Sequence, residues 1–402
     1  MPLNSAPVVD ADGHVLEHPS AMLEYAPAKF RERIWHIEVK ADGSEWLHFD
    51  GATRPAGGLA LAGTAGMTLQ ERQRALAGKM KYGEVRAGAF EAAPRLPDMD
   101  LEGIQQAVLY PTLLLSLPSI ADTEFAEAQA NAYNEWLASF CSHDRRRLFA
   151  VAVVPSQDIE RAVRTIRRAK ELGHVGVFLR PNPSVDGRKL HDPIYDPLWR
   201  TCQELQMPIG LHPFLAPDMP GACRSLGYAQ MRAEGVSYGK GDNADPVRNL
   251  GNIYFSQALA NPFDMMECVA LFCAGGILER FPRLTVLFLE ANGGWIVSLL
   301  ERLDHHFEVF RWDVPALKLK PSEYFRRQCF ISFDPDETTL AFTAQHPLVG
   351  AERIIWASDY PHPDAKFPGV VEELVESTEE LNDAQRARIF GLNARELYHL
   401  PV

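Results

Sequence analysis

Short apolar runs recur along the chain, separated by polar and helical segments. They are rich in Val, Ile, Leu and Phe and are bounded by Pro, Gly or Asp, which is typical of strands buried on both faces of a parallel sheet. The pattern predicts eight such strands, at residues 8–12, 107–110, 148–154, 176–179, 209–212, 285–290, 329–333 and 353–358.

Helical periodicity fills the intervals between these runs. The predicted helices span residues 123–140, 157–172, 197–205, 262–280, 294–310 and 369–376, with a closing helix at 383–400. Repeated alternation of strand and helix indicates parallel crossover units, and eight units close into a barrel. We therefore expect an α/β protein with a single (β/α)₈ TIM-barrel domain over residues 1–402.

Two segments do not follow the alternation, residues 24–97 and residues 215–249. Both are rich in Gly, Ala and charge, and each follows the C-terminal end of a strand or its helix. Long loops at these places commonly control specificity and the exclusion of water. We expect them to be insertions over the mouth of the barrel.

Composition and charge restrict the partners. The chain is 46% hydrophobic and 23% charged, as in ordinary globular proteins, and its net charge of -13 argues against binding to nucleic acid. No apolar run is long enough to span a membrane, and the N-terminus lacks a basic region followed by an apolar stretch. The six cysteines form no C-x-x-C pair and are predicted to be reduced core thiols. We expect a cytoplasmic enzyme with a small-molecule substrate.

Polar side chains stand at the ends of three predicted strands. The first strand ends in Asp12-Gly13-His14, the fifth in His212, and the eighth is followed by Asp359. The active site of such a barrel lies at the C-terminal ends of its strands, and residues at i and i+2 of a strand share a face. Each residue alone has another interpretation, Asp12 as a helix cap or turn residue, His14 as a satisfied loop histidine and Asp359 as a turn former. Together they predict a divalent metal site formed by Asp12, His14, His212 and Asp359.

Glu290 ends the sixth strand and raises the question of a second ion. A buried carboxylate needs a proton or a counter-charge, which a metal, Arg302 or Arg180 would supply. His306 lies on the next helix, where an exposed histidine is the alternative interpretation. If Glu290 and His306 both reach the site, three histidines and three carboxylates are available, enough for two ions.

Three further residues are candidates for contacting the substrate. Arg180 ends the fourth strand and is suited to clamp a carboxylate, although a structural ion pair explains it equally well. Trp295 is expected to wall an apolar pocket or to be part of the core. His362 is expected to contact the substrate or a metal ligand, or to be a turn residue of a proline-rich loop.

Taken with these residues, longer motifs resemble the amidohydrolase superfamily, in particular the amidohydrolase-related branch that includes aminocarboxymuconate-semialdehyde decarboxylase and related aromatic-acid decarboxylases. The resemblance extends over nearly the whole chain. Its motifs are VDADGH at 9–14, DPIYDPLW at 192–199, GLHP at 210–213, GILERFP at 276–282, ASDYP at 357–361 and NA at 393–394.

The resemblance implies one divalent metal, usually zinc or manganese, held by an H-x-H pair, a His and an Asp. His14, His212 and Asp359 match this set, whereas Asp12 occupies the position of the first His. A carboxylate in place of an imidazole favours manganese, iron or magnesium over zinc. Zinc, manganese and iron therefore stay open as cofactors. A homodimer is a further implication of the resemblance.

Two more departures from the family pattern concern the chemistry. Many decarboxylases of the branch carry a catalytic His followed by glycines after strand six, where this chain reads Glu290-Ala291-Asn292-Gly293-Gly294. That proton-transfer role does not carry over to Asn292, which does not titrate. Strand four ends in Arg180 instead of the lysine that is carbamylated in dinuclear amidohydrolases.

Three functions follow as expectations. The first is a metal-dependent hydrolase or decarboxylase of a small carboxylate, ester or ring-derived substrate, with Asp359, Glu290 and His212 as catalytic residues. The second is a non-haem diiron monooxygenase that hydroxylates an organic substrate with two irons, using Glu290 and His306 as additional ligands. The third is a non-catalytic metal-binding scaffold.

Overall fold

The eight predicted strands form one parallel sheet in a computed structural model, which describes residues 6–181, 185, 187–213 and 256–402. Strands are numbered in chain order over the described residues. Those of this sheet are β1 (Val9–Val15), β5 (Gln106–Pro111), β6 (Leu148–Ala152), β7 (Gly176–Leu179), β8 (Ile209–Leu211), β9 (Val286–Phe288), β10 (Cys329–Phe333) and β11 (Ile354–Trp356). They lie in the sheet in the order β1-β5-β6-β7-β8-β9-β10-β11. The prediction of a (β/α)₈ barrel is confirmed.

The first and last strands are joined by hydrogen bonds just beyond the end of β11. The Ser358 hydroxyl and backbone N–H both donate to the Asp10 carboxylate, at 2.6 and 3.0 Å. The His14 backbone N–H donates to the Tyr360 carbonyl oxygen at 2.8 Å. These bonds bring the C-terminal ends of β1 and β11 together, and both strands carry predicted metal ligands there.

Helices surround the sheet, and the ends of the predicted helices lie within two residues of the observed ends. The helices are α1 (Leu69–Leu76), α2 (Ala92–Glu102), α3 (Thr123–Cys141), α4 (Ile159–Leu172), α5 (Asp196–Leu205), α6 (Asn261–Cys273), α7 (Ile277–Arg280), α8 (Ile296–Val309), α9 (Pro321–Gln328), α10 (Leu340–Gln345), α11 (Val370–Ser377), α12 (Asp383–Ala387) and α13 (Asn393–Tyr398). The predicted helix 262–280 is divided into α6 and α7, and the predicted closing helix contains a π-helical turn, Arg388–Leu392, between α12 and α13.

Helix α2 begins inside the first predicted insertion, residues 24–97, and extends beyond its end. It contains Pro94 and Pro97, which argue against a helix on sequence grounds. Pro94 falls in the first turn, where a backbone N–H would have no helical acceptor. The loss of helix stability is therefore caused mainly by Pro97. The helix precedes β5 and buries Arg95 and Met99 against the barrel.

Residues before α2 form a small separate sheet. Its strands are β2 (His36–Val39), β3 (Glu45–Phe49) and β4 (Ala52–Pro55), paired antiparallel in sequence order. The segment contacts loops at the C-terminal ends of the barrel strands. The Ala65 backbone N–H donates to the Pro361 carbonyl oxygen at 3.0 Å, and the Tyr82 hydroxyl donates to the Glu17 carbonyl oxygen at 2.9 Å. The second predicted insertion, 215–249, lies outside the described residues.

Close packing fills the interior below the strand ends. The Tyr110 and Tyr398 hydroxyls are 2.8 Å apart and buried. A Cβ atom at Gly210 would lie 2.1 Å from the Tyr110 hydroxyl oxygen, so only glycine fits on this part of β8. Five cysteines of the described part are free and buried, as predicted. In the same part, no helix has both the length and the apolar character needed to cross a membrane.

His174 is a buried histidine at the foot of the barrel, where α4 leads into β7. Its side chain is 1% exposed. Burial lowers the pKa of His174 from 6.5 to about 4. The folded state therefore keeps this ring neutral at pH values where the unfolded chain protonates it.

We predict that His174→Leu flattens the pH dependence of stability. In the wild type, the unfolded state binds one more proton at His174 between pH 6.5 and 4, so stability falls as the pH is lowered through this window. The full loss is about 3 kcal/mol. Urea unfolding of both proteins at pH 7.5, 6.0 and 5.0 measures the difference in slope. Parallel pH dependences for the two proteins would show that His174 is not the group responsible.

Candidate metal centre

The first strand carries a bulge where the predicted ligands begin. Asp10 pairs with Ala107 and Gly13 pairs with Leu109. Between these two pairs the chain therefore advances by three residues in β1 but by only two in β5. Bulges of this kind redirect side chains at active sites. Asp12, His14 and His212 each place a ligand atom close enough to the other two for all three to bind one metal ion. The structure therefore brings together the residues predicted at the ends of strands one and five.

Backbone carbonyl groups fix the orientation of both imidazoles. His14 Nδ1 lies 2.8 Å from the Pro111 carbonyl oxygen, and His212 Nδ1 lies 2.8 Å from the Pro213 carbonyl oxygen. Because a carbonyl oxygen only accepts, each Nδ1 carries the hydrogen and each Nε2 presents a lone pair. Burial lowers the pKa of His14 well below its usual range and that of His212 to about 3, which keeps both rings neutral.

The two lone pairs point at each other. His14 Nε2 and His212 Nε2 are 3.1 Å apart and fully buried. Two acceptors cannot form a hydrogen bond, and leaving them unpaired in the interior is costly. A cation in contact with both nitrogens removes the conflict. The arrangement has the character of a divalent metal site.

Carboxylates surround this nitrogen pair. His14 Nε2 is 3.4 Å from Asp359 Oδ1 and 3.8 Å from Asp12 Oδ1. His212 Nε2 is 3.1 Å from Glu290 Oε2. Asp12 is 2% exposed, and its Oδ1 has no hydrogen-bond partner among the described residues. An unpaired buried carboxylate oxygen that faces neutral imidazoles is a further sign that these residues fit a metal ion.

Two of these carboxylates are attached to a strained backbone. Asp359 has a φ of 52° and Glu290 a φ of 43°, both in the left-handed region that side chains other than glycine seldom adopt. Each residue follows shortly after the end of its strand, β11 or β9. Such strain persists where surrounding contacts enforce it, and it concentrates at functional sites.

Burial and mutual repulsion raise the pKa values of the carboxyl groups at the mouth. Burial is the largest cause of the increase for Asp12, Asp359 and Glu290. The pKa values of all three groups are raised well above their usual range, and neighbouring carboxylates raise them further. The pKa of Asp334 rises to about 7, mainly through burial and secondly through Glu337. A bound cation would lower the pKa values of the carboxylates that it touches.

Asp334 is a residue that the sequence interpretation missed. It follows β10 directly, and its carboxylate accepts a hydrogen bond from Asn292 Nδ2 at 2.9 Å. Glu337 accepts from the backbone N–H groups of Gly293 and Gly294 at 3.0 and 3.3 Å. The available signal was an Asp at the end of the seventh strand, the same signal that identified Asp359 at the eighth.

His362 contacts a predicted ligand. Its Nδ1 lies 2.7 Å from Asp359 Oδ1, its Nε2 lies 3.1 Å from the Thr112 hydroxyl, and its ring centroid is 4.1 Å from that of His14. Nδ1–H donates to the carboxylate, and the hydroxyl donates to Nε2. The Thr112 backbone N–H in turn donates to Glu17 Oε1 at 3.2 Å. His362 thus orients Asp359.

Two further predicted site residues, Arg180 and Trp295, follow strand ends of the barrel. Arg180 is buried directly after β7. Trp295 lies just before α8, and its indole N–H donates to the Ala291 carbonyl oxygen at 2.8 Å.

His306 shares no metal-ligand group with these residues in the described part of the chain. It lies on α8, ten residues after the start of the helix. Its Nδ1 lies 3.0 Å from the Arg302 carbonyl oxygen, and its ring packs against His305 and Phe310. A role for His306 as a metal ligand stays a prediction.

Comparison with known proteins agrees with this geometry. The amidohydrolase family model matches residues 9–400. The chain is 24% identical to 2-amino-3-carboxymuconate-6-semialdehyde decarboxylase of Dictyostelium discoideum over 79% of each protein. It is 26% identical to gamma-resorcylate decarboxylase of Polaromonas sp., over 75% of this chain and 85% of that one.

A solved structure with the same fold contains a metal. The dihydroxybenzoic acid decarboxylase of Polaromonas sp. JS666, with bound manganese and the inhibitor 2-nitroresorcinol, aligns with a TM-score of 0.64 and 19% identity. The alignment covers 98% of this chain and 97% of that one.

We predict that Thr112→Val weakens metal binding and that Thr112→Ser does not. Valine keeps the shape of the side chain but removes the hydroxyl that donates to His362, which then holds Asp359 less firmly. Loss of such an outer contact typically costs about 10- to 100-fold in metal affinity or activity. Titration of chelator-stripped protein with Mn²⁺ measures the affinity.

The matched control is Thr165→Val, because Thr165 is also buried and its hydroxyl has no partner in the described part of the protein. Its Mn²⁺ affinity should equal that of the wild type. Equal affinities for Thr112→Val and Thr112→Ser would remove the proposed role of the hydroxyl.

Proposed function

This chain belongs to the amidohydrolase family, and from that premise we propose that it is a metal-dependent carboxy-lyase that removes CO₂ from a small aromatic or ring-derived carboxylic acid. The relatives support this reaction class, since those compared above are decarboxylases and match over most of their length. The observation that carries the proposal is the buried nitrogen pair of His14 and His212 with the carboxylates of Asp12 and Asp359 beside it.

Asp359 is the carboxyl group of this site that we expect to act in the reaction. Burial is the main cause that raises the pKa of Asp359 well above its usual range, and Asp364 and Asp12 raise it further. Asp359 is also 3.4 Å from His14 Nε2. A carboxyl group with a raised pKa therefore lies directly beside the metal-binding atoms.

A divalent metal would be held by Asp12, His14, His212 and Asp359, and when bound it would supply a Lewis acid for the oxygen atoms of the substrate. Two neutral imidazoles and two carboxylates suit manganese or iron at least as well as zinc. The manganese in the related dihydroxybenzoic acid decarboxylase supports manganese as the first ion to test.

Decarboxylation needs a proton at the carbon that loses CO₂. The bond between that carbon and the carboxylate breaks, the electron pair stays on the carbon, and a proton takes the place of CO₂. We assign the donation of this proton to Asp359, because burial and neighbouring carboxyl groups raise its pKa and so favour the protonated form that a general acid needs.

The substrate is bound by groups at the same end of the barrel. Arg180 is buried at the C-terminal end of β7 and is suited to bind a carboxylate through two parallel N–H donors. Trp295 and His362 lie in loops that follow β9 and β11. We propose that these side chains define the pocket for the ring.

We predict that the Mn²⁺-loaded protein converts a hydroxybenzoate to the corresponding phenol with one CO₂ released per product. A suitable panel is 2,6-dihydroxybenzoate, 2,3-dihydroxybenzoate and 5-carboxyvanillate, analysed for phenol and for CO₂. In D₂O the product should carry deuterium at the carbon that lost the carboxylate. Asp359→Asn should lower kcat by about 10²- to 10⁴-fold because the amide has no carboxyl proton to donate.

Asp336→Asn serves as the matched control, since Asp336 is an exposed carboxylate at the same mouth. Its kcat should equal that of the wild type. Treatment with a chelator should abolish the activity, and Mn²⁺ should restore it. Hydrolysis of an ester or lactone panel by the Mn²⁺-loaded protein, without CO₂ release from any acid tested, would contradict the proposed reaction.

A further inference from the structure

Glu290 is held firmly at the place where the sequence departs from the family pattern. Its Oε1 accepts a hydrogen bond from Gln257 Nε2 at 3.1 Å. Gln257 Oε1 in turn accepts from Asn261 Nδ2 at 2.6 Å, and the Asn261 side chain is 2% exposed. This chain of amides fixes one carboxylate oxygen and leaves the other, Oε2, directed at His212.

The contact between Glu290 and His212 joins two electron-pair donors. Glu290 Oε2 lies 3.1 Å from His212 Nε2. Because His212 Nδ1 donates to the Pro213 carbonyl oxygen, Nε2 of the neutral ring carries no hydrogen. His14 Nε2 lies at the same distance, 3.1 Å, from the same nitrogen. A cation beside His212 Nε2 would therefore satisfy this nitrogen and Glu290 Oε2 together.

The alternative partner on the following helix does not account for this carboxylate. Arg302, one of the two counter-ions that the sequence allowed, is exposed on α8. The backbone at Glu290 is also strained, with a φ of 43°, so the side chain is held toward the site against a local cost. The exposure of Arg302 and the strain at Glu290 both favour a partner for this carboxylate that lies inside the barrel mouth.

We propose that Glu290 is a fifth metal ligand, beside Asp12, His14, His212 and Asp359. The inference rests on the proposed metal-dependent function. The chain then holds its ion with three carboxylates and two imidazoles, a set that favours Mn²⁺ or Fe²⁺ over Zn²⁺ more strongly than the four-residue set does.

This assignment also explains the missing histidine after strand six. In this chain that position contributes to binding the metal instead of transferring a proton. The transfer of a proton to the substrate is then left to Asp359.

The test compares the Mn²⁺ affinity of chelator-stripped Glu290→Gln and Asp334→Asn. Asp334 is a carboxylate at the same mouth that interacts electrostatically with Asp12 and Asp359, but it is bonded to Asn292. Asp334→Asn therefore removes a nearby charge without removing a ligand. We expect Glu290→Gln to bind Mn²⁺ at least about tenfold more weakly than Asp334→Asn.

A second measurement makes the result independent of folding effects. Water-proton relaxation by bound Mn²⁺ reports how many water molecules contact the ion. In Glu290→Ala, water should take the place of the lost carboxylate and raise the relaxivity per bound Mn²⁺, whereas Asp334→Asn should leave it at the wild-type value. Similar affinity losses in Glu290→Gln and Asp334→Asn, with unchanged relaxivity in Glu290→Ala, would overturn the assignment.

The two proposals fail separately, because neither measurement needs turnover. A protein that binds Mn²⁺ through Glu290 but releases no CO₂ would refute the proposed reaction and leave the ligand assignment standing. A protein that releases CO₂, with Mn²⁺ binding insensitive to Glu290, would do the reverse.

Discussion

The contact between His14 Nε2 and His212 Nε2 is the constraint on which the site depends. Both Nδ1 atoms are held by backbone carbonyl groups, so neither ring is free to turn its hydrogen toward the other. Two lone pairs 3.1 Å apart in a dry interior are stable only with a cation in contact with both. The acidity of the surroundings follows from the same requirement, since Asp12, Asp359 and Glu290 supply the negative charge that such a cation needs.

The barrel is built to keep that contact in place. β1 and β8 bring the two histidines to one end of the sheet, and a bulge in β1 directs Asp12 to the same point. Arg95 supports this end of β1 from below, because its buried guanidinium donates to the His14 carbonyl oxygen at 2.8 Å and lies 4.4 Å from the centroid of the Tyr360 ring. A side chain of α2 thus joins the ends of β1 and β11.

The sequence predicted those parts of the fold and site that depend on local pattern. Apolar runs identified all eight barrel strands, and polar residues at their ends identified the residues that converge on the nitrogen pair. Helix α2 was not predicted, because Pro94 and Pro97 disfavour a helix locally. Packing against the barrel overrides that preference. Contacts between distant segments, such as Thr112 with His362, leave no periodic signal in the chain.

His306 is a different case. Its residue type suits a metal, but it lies ten residues into α8 and shares no metal-ligand group with the other candidates among the described residues. Residue type is a stronger indication of a ligand when the topology places that residue at the end of a strand.

The most direct measurement of the central interaction is anomalous diffraction at the manganese edge from crystals soaked in Mn²⁺. We expect one strong peak per chain, within bonding distance of both His14 Nε2 and His212 Nε2. Under the same conditions, crystals of His212→Ala should lose the peak. A peak elsewhere in the barrel, or none at saturating Mn²⁺, would contradict the conclusion that these two lone pairs are held together for a metal ion.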